Sequence, residues 1–346
     1  MRIGLIAPPF ISVPPKDYGG TELFIAQLAE GLQKRGLEVV VYTNGESRVG
    51  VEKRWMYPRA QWPIKMDGNT FLKGVEHSAW AMQDAAAYCD LLHVHEAPAL
   101  TFSRFVTAPV VCTLHGPHNA ALSETYARYP GVYYVCISDS QCRQEKMPRM
   151  RTIHHGIDLA AYELRTEKQP YLSFVGRIAP IKGVHLAIDV AKRAGIPLKI
   201  AGDVQPMYRD YFEAKVKPHI DGQFIEYIGL ADLRGKNELL GNSLAMLFPI
   251  QWNEPFGLVM VEAMACGTPV LALGGGSVPE VVKDGVSGYI CRSVRELAQR
   301  VKQLKFDPAA LRRYVDENFS LNRMVGRYAD LYGQAARETA GPREAA

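Results

Sequence analysis

The sequence of 346 residues lacks several features that would assign it to a specialised class of protein. Its six cysteines are scattered and form no C-x-x-C pair, which argues against a disulfide-stapled secreted module and favours a reduced, cytoplasmic compartment. No stretch approaches the ~18–20 uninterrupted apolar residues of a membrane-spanning helix. The first apolar run is broken by Pro8 and Pro9, so it predicts a buried strand rather than a signal peptide. Peripheral attachment at the inner face of a membrane is left open.

The chain also has little net charge. Lysine and arginine number 40 against 36 aspartates and glutamates, a net charge of +4, and no basic stripe is visible, so no nucleic-acid partner is expected. Apolar residues make up 47% and charged residues 22%, which is close to the average for globular proteins. At roughly 100–200 residues per domain, the length predicts about two domains.

Short apolar runs alternate with helical periods along both halves of the chain. The runs are nearly continuous rather than alternating, as in strands of a parallel sheet that are buried on both faces. Two doubly wound α/β domains are therefore expected, with the polar segment 158–170 as a linker. The predicted strands are 2–7, 38–43, 90–95, 110–115, 133–138, 171–176, 197–202, 224–229, 244–249 and 269–274. The predicted helices are 21–36, 183–195, 206–218, 232–241, 257–266, 293–304 and 319–338.

The helix predicted at 21–36 shows the pattern in detail. Its apolar positions follow the i, i+3, i+4, i+7 spacing of one helical face, Ile25, Leu28, Ala29 and Leu32. Thr21 is predicted to cap its start and Gly36 to end it.

A dinucleotide would be the commonest ligand of such domains, but its signature is missing. A G-x-G-x-x-G turn should follow the first strand, where this sequence has IAPPFISVPPKDYGGTE. The second half has VGRIAPIKG at the equivalent place. An NAD-dependent oxidoreductase is therefore disfavoured.

The segment NEPFGLVMVEAMACGTPV (253–270) carries the most chemical information. A helix starting near Phe256–Gly257 would direct its first amides and its positive dipole end at a phosphate or diphosphate. Glu254 and Glu262 would flank that site and accept hydrogen bonds from sugar hydroxyls. A single glutamate is more often a cap or a solvated side chain, but the complete spacing favours the binding site.

This segment resembles the E-x7-E signature of retaining, GT-B-type glycosyltransferases of family 4. GRIAPIKG (176–183) is similar to the G-R-x-x-x-x-K-G loop of that family, and IAGD (200–203) and GGGSVPEVV (274–282) follow in the family's order. The opening PPFISVPPKDYGGTE resembles a bacterial subgroup with V-P-P-x-x-Y-G-G-T-E.

The resemblance implies a GT-B fold, in which two Rossmann-like domains face a central cleft. Residues 1–160 would form the acceptor-side domain and 161–320 the donor domain. Residues 321–346 would form a C-terminal helix that packs back toward the N-terminal domain.

The resemblance also implies roles for individual residues. Arg177 and Lys182 would hold the donor diphosphate, Glu262 the ribose and Glu254 a hydroxyl of the donor sugar. His115 would lie beside the sugar ring, although without the resemblance it would be interpreted as an ordinary strand-end histidine. The backbone contacts implied are the amides of Phe256, Gly257 and Leu258 at the diphosphate or sugar, Ile228–Gly229 at the base, and Gly19–Gly20 at the transferred group.

Two of these backbone assignments have an alternative of nearly equal weight. Ile228–Gly229 could be a plain strand-to-helix turn, and Gly19–Gly20 a plain loop before a helix.

The implied reaction is transfer of a sugar from a UDP-, GDP- or ADP-linked donor to an unknown acceptor, with retention of the anomeric configuration. The resemblance implies neither a metal ion nor another cofactor, because fixed cations and a helix terminus can stabilise the leaving diphosphate. The alternatives are a sugar-phosphate phosphorylase or nucleotide-sugar epimerase on the same scaffold, and a non-catalytic nucleotide-sugar binder. The oligomeric state is not indicated.

The remaining histidines receive simpler interpretations. His93 and His95 share one face of a strand, but no cysteine or carboxylate completes a zinc site with His115 and His118. His154–His155 stands where the family more often has N-G-[VI]-D, and is assigned to the interdomain corner.

Overall fold

The computed structural model describes residues 1–16, 19–64 and 67–340. Asp17 and Tyr18 of the N-terminal motif lie outside the described residues, as do residues 341–346 of the predicted C-terminal segment. The chain divides into two compact units. The first comprises Met1–His155 and the residues from Leu321 onward, and the second is Gly156–Ser320.

The described residues contain thirteen strands and thirteen α-helices. The strands are β1 (Arg2–Ile6), β2 (Glu38–Thr43), β3 (Glu52–Trp55), β4 (Leu91–Val94), β5 (Val110–Leu114), β6 (Tyr133–Cys136), β7 (Met150–Thr152), β8 (Leu172–Val175), β9 (Leu198–Ala201), β10 (Ile225–Gly229), β11 (Ala245–Phe248), β12 (Val270–Leu273) and β13 (Gly288–Cys291). The helices are α1 (Gly20–Lys34), α2 (Gly68–Tyr88), α3 (Ala97–Thr101), α4 (Ala120–Ala127), α5 (Asp139–Cys142), α6 (Val184–Ala194), α7 (Arg209–Lys215), α8 (Leu233–Asn242), α9 (Leu258–Ala265), α10 (Val278–Val281), α11 (Val294–Val301), α12 (Pro308–Phe319) and α13 (Leu321–Ala340).

Each unit is built on one parallel sheet. Within the described residues, the first sheet has seven strands in the order β3-β2-β1-β4-β5-β6-β7, and the second has six in the order β10-β9-β8-β11-β12-β13. All the strand pairs are parallel. In both sheets the strand order reverses direction beside the first strand of the unit, β1 or β8. Loops at the carboxyl ends of strands next to such a switch point are the usual ligand sites of open α/β sheets.

The first sheet is covered on both faces, as its continuous apolar strands predicted. Ile3 and Leu5 of β1 pack into a core with α1 and α13, whereas Ile6 packs into a second core with α2 on the other face. The predicted apolar face of α1 is confirmed, because all four of its residues are fully buried in the first core, Ile25, Leu28, Ala29 and Leu32.

The ten predicted strands are all present, whereas β3, β7 and β13 were not predicted. These three lie at sheet edges, where one side of the strand has no neighbour. The side chains of β3 and β7 are partly buried or exposed, and β3 has the sequence EKRW, whereas β13 also contains the buried Cys291. An edge strand needs no continuous apolar run, so it leaves no such signal in the sequence. The helices α2 and α12 were also not predicted, although Asp67 and Asp307 cap them through their side chains.

Two local predictions are wrong. Thr21 does not cap α1, because the helix begins one residue earlier and the carbonyl oxygen of Gly19 accepts a hydrogen bond from the Leu23 amide at 3.0 Å. Residues 158–170 are not a free linker but pack within the second unit. The Arg312 guanidinium donates to the carbonyl oxygens of Leu159 and Tyr162 at 2.8 and 2.7 Å.

Candidate active site

In the second unit, glycines bring the loops after β8 and β9 into direct contact. A Cβ added at Gly202 would lie 1.9 Å from the carbonyl oxygen of Gly176, so a side chain cannot fit there. The amide of Ile178 donates to the carbonyl oxygen of Asp203 at 2.9 Å across the same two loops. Arg177, half-buried, therefore stands on a backbone that is fixed on both sides.

The loop after β8 is also locked to the loop after β11. Pro180–Lys182 forms a 3-10 turn that ends at Gly183, whose φ of 73° is in the left-handed region. A Cβ at Gly183 would lie 1.9 Å from the carbonyl oxygen of Pro249, and the Gln251 amide donates to the Ile181 carbonyl oxygen at 2.8 Å. This contact places Lys182 next to the segment that contains the E-x7-E pattern.

Lys182 and Glu254, both predicted site residues, lie in direct contact. The Lys182 Nζ donates to Glu254 Oε2 at 2.5 Å, and the indole Nε1 of Trp252 donates to the same oxygen at 2.9 Å. The ammonium also lies 4.9 Å from the centroid of the Trp252 ring, a cation–π contact. Only 18% of the lysine side chain and 9% of the glutamate side chain are exposed. Sequence reasoning did not identify Trp252.

The predicted helix start after Glu254 is found within one residue. Gly257, with a φ of 76°, is the N-cap of α9, and Leu258 is the first helical residue. No side chain of the described residues caps this end, so the first amides of α9 keep the anion-binding character of a helix N-terminus. A Cβ at Gly257 would lie 2.8 Å from the terminal methyl group of Met260, so glycine suits both the angle and the space.

The GGGS loop after β12 supports Glu254 and Phe256 from the backbone side. The amide of Ser277 donates to the Glu254 carbonyl oxygen at 2.9 Å, and its hydroxyl donates to the Phe256 carbonyl oxygen at 2.8 Å. A Cβ added at Gly276 would lie 2.3 Å from the Glu254 carbonyl oxygen. The GGGSVPEVV segment (274–282) of the resemblance thus fixes the backbone of the E-x7-E turn.

Glu262 lies one turn into α9 and is 7% exposed. Its Oε1 accepts hydrogen bonds from the Tyr162 hydroxyl at 2.9 Å and from the Lys236 Nζ at 2.6 Å. Burial, followed by the charge of Glu262, raises the pKa of the Tyr162 hydroxyl, which therefore stays a hydrogen-bond donor at neutral pH. Neither Tyr162 nor Lys236 was identified from the sequence, because no local pattern connects them with Glu262.

Ile228–Gly229 ends β10 beside the same glycine loops. The carbonyl oxygen of Gly229 accepts from the Gly202 amide at 2.8 Å, and the φ of Gly229 is 74°. Ile228 is 38% exposed at the strand end, and Leu230 is 68% exposed next to it. Exposed apolar side chains are therefore present where the sequence placed the base.

In the first unit, Gly19 is the N-cap of α1 and Gly20 is its first residue, so the helix begins one residue earlier than the sequence predicted. A Cβ at Gly19 would lie 2.7 Å from Glu22 Oε2 and 2.9 Å from the Pro15 side chain, whereas a Cβ at Gly20 would meet no atom of the described residues within 4 Å. The steric need for glycine is therefore at position 19. Glu22, in the first turn, is buried, and burial raises its pKa.

His115 follows β5 and lies in a cluster of aromatic rings. Its Nε2 is 3.0 Å from Nδ1 of His95, and its ring stacks on that of His155 with centroids 5.9 Å apart and an angle of 11° between the planes. The ring of Phe24 in α1 makes an edge contact with His115, at a centroid distance of 5.0 Å. His155 was not predicted to join this site, although it stands at the position that departs from the family pattern.

The backbone around His115 is held by Gln141 of α5. Its side-chain Nε2 donates to the carbonyl oxygens of Leu114 and Gly116 at 2.9 and 2.6 Å, one on each side of His115. Its Oε1 accepts from the Ile137 amide at 2.8 Å, and the side chain is buried. Gln141 was not identified from the sequence either.

Both ring nitrogens of His93, in β4, lie within hydrogen-bond distance of neighbouring hydroxyl groups. Nδ1 of His93 is 2.6 Å from the Tyr332 hydroxyl, and its Nε2 is 2.8 Å from Oγ1 of Thr113. His118 instead contacts Oε1 of Glu145 at 2.9 Å through its Nδ1.

None of the helices in the described residues combines the length and the apolar character needed to cross a bilayer.

Two family models match consecutive parts of the chain. Residues 18–161 match the Glycosyltransferase Family 4 model, and residues 159–320 match the model of Glycosyl transferases group 1. Together the two matches run from residue 18 to residue 320, with a boundary close to that between the two structural units.

Individual relatives agree with the family models. The glycogen synthase of Mycobacterium tuberculosis strain H37Rv is 26% identical over 370 aligned positions, which cover 90% of this chain and 88% of that protein. AviGT4, a glycosyltransferase involved in avilamycin A biosynthesis, has a crystal structure that matches with a TM-score of 0.72 and 24% identity over 97% of this chain and 98% of that one. HepE from Anabaena, crystallised in complex with UDP and glucose, matches with a TM-score of 0.74 and 18% identity over 96% of this chain and the whole of that one.

The predicted fold class is thereby confirmed, since two parallel-sheet Rossmann-like units align over nearly their full length with GT-B glycosyltransferases. The glycine-built loops, the lysine–glutamate pair and the free helix start occur in the part that matches group 1, and the histidine cluster occurs in the part that matches family 4. The chain is a glycosyltransferase of the family 4 type.

Proposed function

We propose that the chain transfers a sugar from a nucleoside-diphosphate donor to an acceptor nucleophile, with retention of the anomeric configuration and without a metal ion. The contact between Lys182 and Glu254 beside the start of α9 is the observation that carries this proposal. It combines a cation, a buried carboxylate and the first amides of a helix that no described side chain caps, which are the groups that a sugar diphosphate requires.

The ammonium group of Lys182 can still donate hydrogen bonds to the nucleotide sugar. An ammonium group carries three protons, and Glu254 accepts one of those of Lys182 at 2.5 Å. The diphosphate oxygens would be bound by the other two ammonium protons of Lys182, by the guanidinium of Arg177 and by the amides of Gly257 and Leu258. When the sugar leaves, negative charge grows on this diphosphate, and preorganised donors stabilise it most at that moment.

The two carboxylates would bind the hydroxyl groups on either side. Among the described residues, both hydrogen bonds to Glu262 fall on Oε1, so Oε2 would accept from the ribose hydroxyls. Glu254 would accept from a hydroxyl of the transferred sugar, and His115 would lie beside that sugar. In a same-face substitution the departing diphosphate takes the acceptor proton, so the protein supplies positioning rather than a general base. The crystallised complex of HepE with UDP and glucose supports a donor of this class.

A panel of nucleotide sugars tests the proposal. The purified chain and the Lys182→Met variant are screened by thermal shift and by donor hydrolysis against UDP-, GDP- and ADP-linked sugars. We expect one base class to stabilise the wild type and to be hydrolysed slowly. Proton NMR spectra recorded before mutarotation should then show a released sugar with the anomeric configuration of the donor, in the presence of EDTA.

Each part of the proposal can fail separately. An inverted anomer would overturn retention, and activity that is abolished by EDTA and restored by magnesium would overturn metal independence. Donor binding without hydrolysis or transfer would leave a nucleotide-sugar binder, and epimerised or phosphorolysed products would identify the other enzyme classes.

A further inference from the structure

The histidine cluster in the first unit contains a short contact between two ring nitrogens. Nδ1 of His95 is 3.0 Å from Nε2 of His115. Two neutral imidazoles can form such a hydrogen bond only if one nitrogen carries a proton and the other does not. The contact therefore links the tautomer of His115 to that of His95.

The ring of His95 is fixed by its neighbours. The ring of His93 lies against it with centroids 4.1 Å apart, and the ring of Phe24 makes an edge contact at 5.7 Å. His95 is 7% exposed and Phe24 is 4% exposed. A side chain packed in this way cannot rotate its Nδ1 away from His115 without displacing a neighbouring ring.

His93 is in turn anchored to the C-terminal helix α13. Its two nitrogens contact the Tyr332 hydroxyl at 2.6 Å and Thr113 Oγ1 at 2.8 Å, and Oγ1 is 3.0 Å from the Tyr328 hydroxyl. All four side chains are buried. The polar groups behind His95 are thus joined to one another, and none of these contacts involves His95 Nε2.

The other nitrogen of His95 decides the direction of the hydrogen bond. Nε2 is buried and has no hydrogen-bond partner among the residues that the structure describes. A buried N–H group without a partner is rarer and less favourable than a buried acceptor without one. The proton of His95 therefore belongs on Nδ1, and His115 must accept it at Nε2.

The electrostatic surroundings keep these rings neutral. Burial, followed by the neighbouring imidazoles, lowers the pKa of His93, of His95 and of His115 well below the usual value. A neutral His115 that accepts at Nε2 carries its own proton on Nδ1.

We propose that His95 is a positioning residue for His115, which it holds as the neutral Nδ1–H tautomer by donating from Nδ1 to His115 Nε2. His115 then offers a hydrogen-bond donor at Nδ1 and has no free Nε2 to act as a base. The assignment deepens the proposed function and rests on it for its catalytic consequence, because it states which proton His115 presents to an oxygen of the donor sugar.

The tautomer can be measured without any turnover. The protein is labelled with ¹⁵N-histidine, and long-range proton–nitrogen spectra distinguish a protonated from an unprotonated nitrogen in each of the nine imidazoles. His115→Gln and His95→Asn variants assign the two sets of signals. We expect both residues as Nδ1–H tautomers at pH 7.5. Finding the proton of His115 on Nε2 would overturn the proposal.

Matched variants of His95 test the consequence. His95→Asn keeps an N–H donor near the position of Nδ1, whereas His95→Leu removes it in a similar volume. We expect His95→Leu to lower kcat roughly tenfold or more, with little change in the KM for the donor, and His95→Asn to recover most of the loss. His115 should become a mixture of tautomers in His95→Leu only.

A control separates positioning from loss of a buried ring. His77 is fully buried and its Nε2 contacts the Ala7 carbonyl oxygen, outside the cluster, so His77→Leu should destabilise the fold without changing the His115 tautomer. Equal losses of kcat in His95→Asn and His95→Leu, or an unchanged His115 tautomer in His95→Leu, would overturn the positioning role. If the wild type transfers no sugar from any donor but shows the expected tautomers, the proposed function fails while the assignment of His95 stands.

Discussion

In the second unit the candidate functional side chains are charged and paired, whereas in the first they are neutral rings. Lys182 and Glu254 form a buried pair, and Glu262 accepts from Lys236. His115 instead contacts other imidazoles and the ring of Phe24.

The two regions also differ in how the backbone is held. In the second unit, glycines allow loops after four strands to approach within van der Waals contact, as at Gly183 and Gly202. In the first unit, the buried side chain of Gln141 bridges the carbonyl oxygens on both sides of His115. Under the proposed function, the second unit would bind the diphosphate, a dianionic bridge that needs cations and exposed amides. The first unit would then face the neutral sugar ring, which needs neither.

The largest effect is expected from removing the cation of the second unit. Lys182→Met should lower kcat roughly 10²–10³-fold, as expected when one preorganised stabiliser of developing charge is lost. Lys199→Met is the matched control, since Lys199 forms a half-exposed pair with Glu226. Steady-state rates with the identified donor measure both. If Lys182→Met kept the turnover of the wild type, the charge of Lys182 would not be needed for the reaction, and the proposed role of the charged pair in the second unit would be wrong.

The glycine-built loops should be intolerant of a single methyl group. Gly183→Ala combines a left-handed φ of 73° with a Cβ 1.9 Å from a carbonyl oxygen, and should lower the free energy of unfolding by about 3 kcal/mol or more. Gly195→Ala has nearly the same φ, 71°, but open space, and should cost about 1–2 kcal/mol. Denaturant titrations measure both. Equal effects would mean that the loop contact is not needed.

The neutral rings should make the first unit sensitive to acid. Burial lowers the pKa of His77 and of His155 to about 4, against about 6.5 in an unfolded chain. Below pH 6.5 these histidines bind protons in the unfolded chain but stay neutral in the folded unit. The free energy of unfolding therefore decreases as the pH falls toward 4. The expected loss is about 1.4 kcal/mol per pH unit for each such histidine. The remaining members of this group are His93, His95 and His115.

Two carboxyl groups of the first unit oppose this trend in part. Burial raises the pKa of Glu96 to about 7 and also raises that of Glu22, so both gain protons more readily in the folded state as the pH falls. In the second unit, burial lowers the pKa of His185. Hydrogen exchange at pH 7.5 and 5.0, followed by peptide, should show greater loss of protection in residues 1–155 than in 156–320. The reverse order would contradict the comparison.

The smallest effect is expected at the ribose. Glu262→Gln keeps an acceptor for Lys236 but removes the charge, and should weaken UDP binding about tenfold, in line with ~1.5–3 kcal/mol for hydrogen bonds to charged groups. Glu238→Gln, on the exposed side of α8, is the control. Calorimetric titration with UDP measures both. Unchanged affinity in Glu262→Gln would show that the ribose does not bind at Glu262 of α9.

Much of the fold was readable from the sequence because burial leaves a local pattern. The strands β1, β2 and β8 are nearly continuous apolar runs, and the buried face of α1 follows helical spacing. The edge strands β3 and β7 carry no such pattern, because water covers part of each strand. The E-x7-E turn was readable because its glycine and its helix start lie within a few residues of one another.

The partners of the site residues were not readable in the same way. Tyr162 and Glu262 are 100 residues apart and Lys236 and Glu262 are 26 apart, so only folding brings them into contact. Gln141 lies 27 and 25 residues from the two carbonyl groups that it joins. A local pattern cannot encode a contact whose distance in the chain is set by the order of the strands.

The sequence by itself determined the class of the protein, because the strands of two parallel sheets and a helix start preceded by glycine each have a local pattern within a short segment. It also predicted Lys182, Glu254 and Glu262 as site residues of the second unit, but not Lys236. Only the tertiary structure decided that Lys182 and Glu254 meet, that Glu262 accepts from Lys236, and that His95 faces His115. Those contacts depend on loops and helices that follow different strands of a sheet, where close packing and burial select the partners.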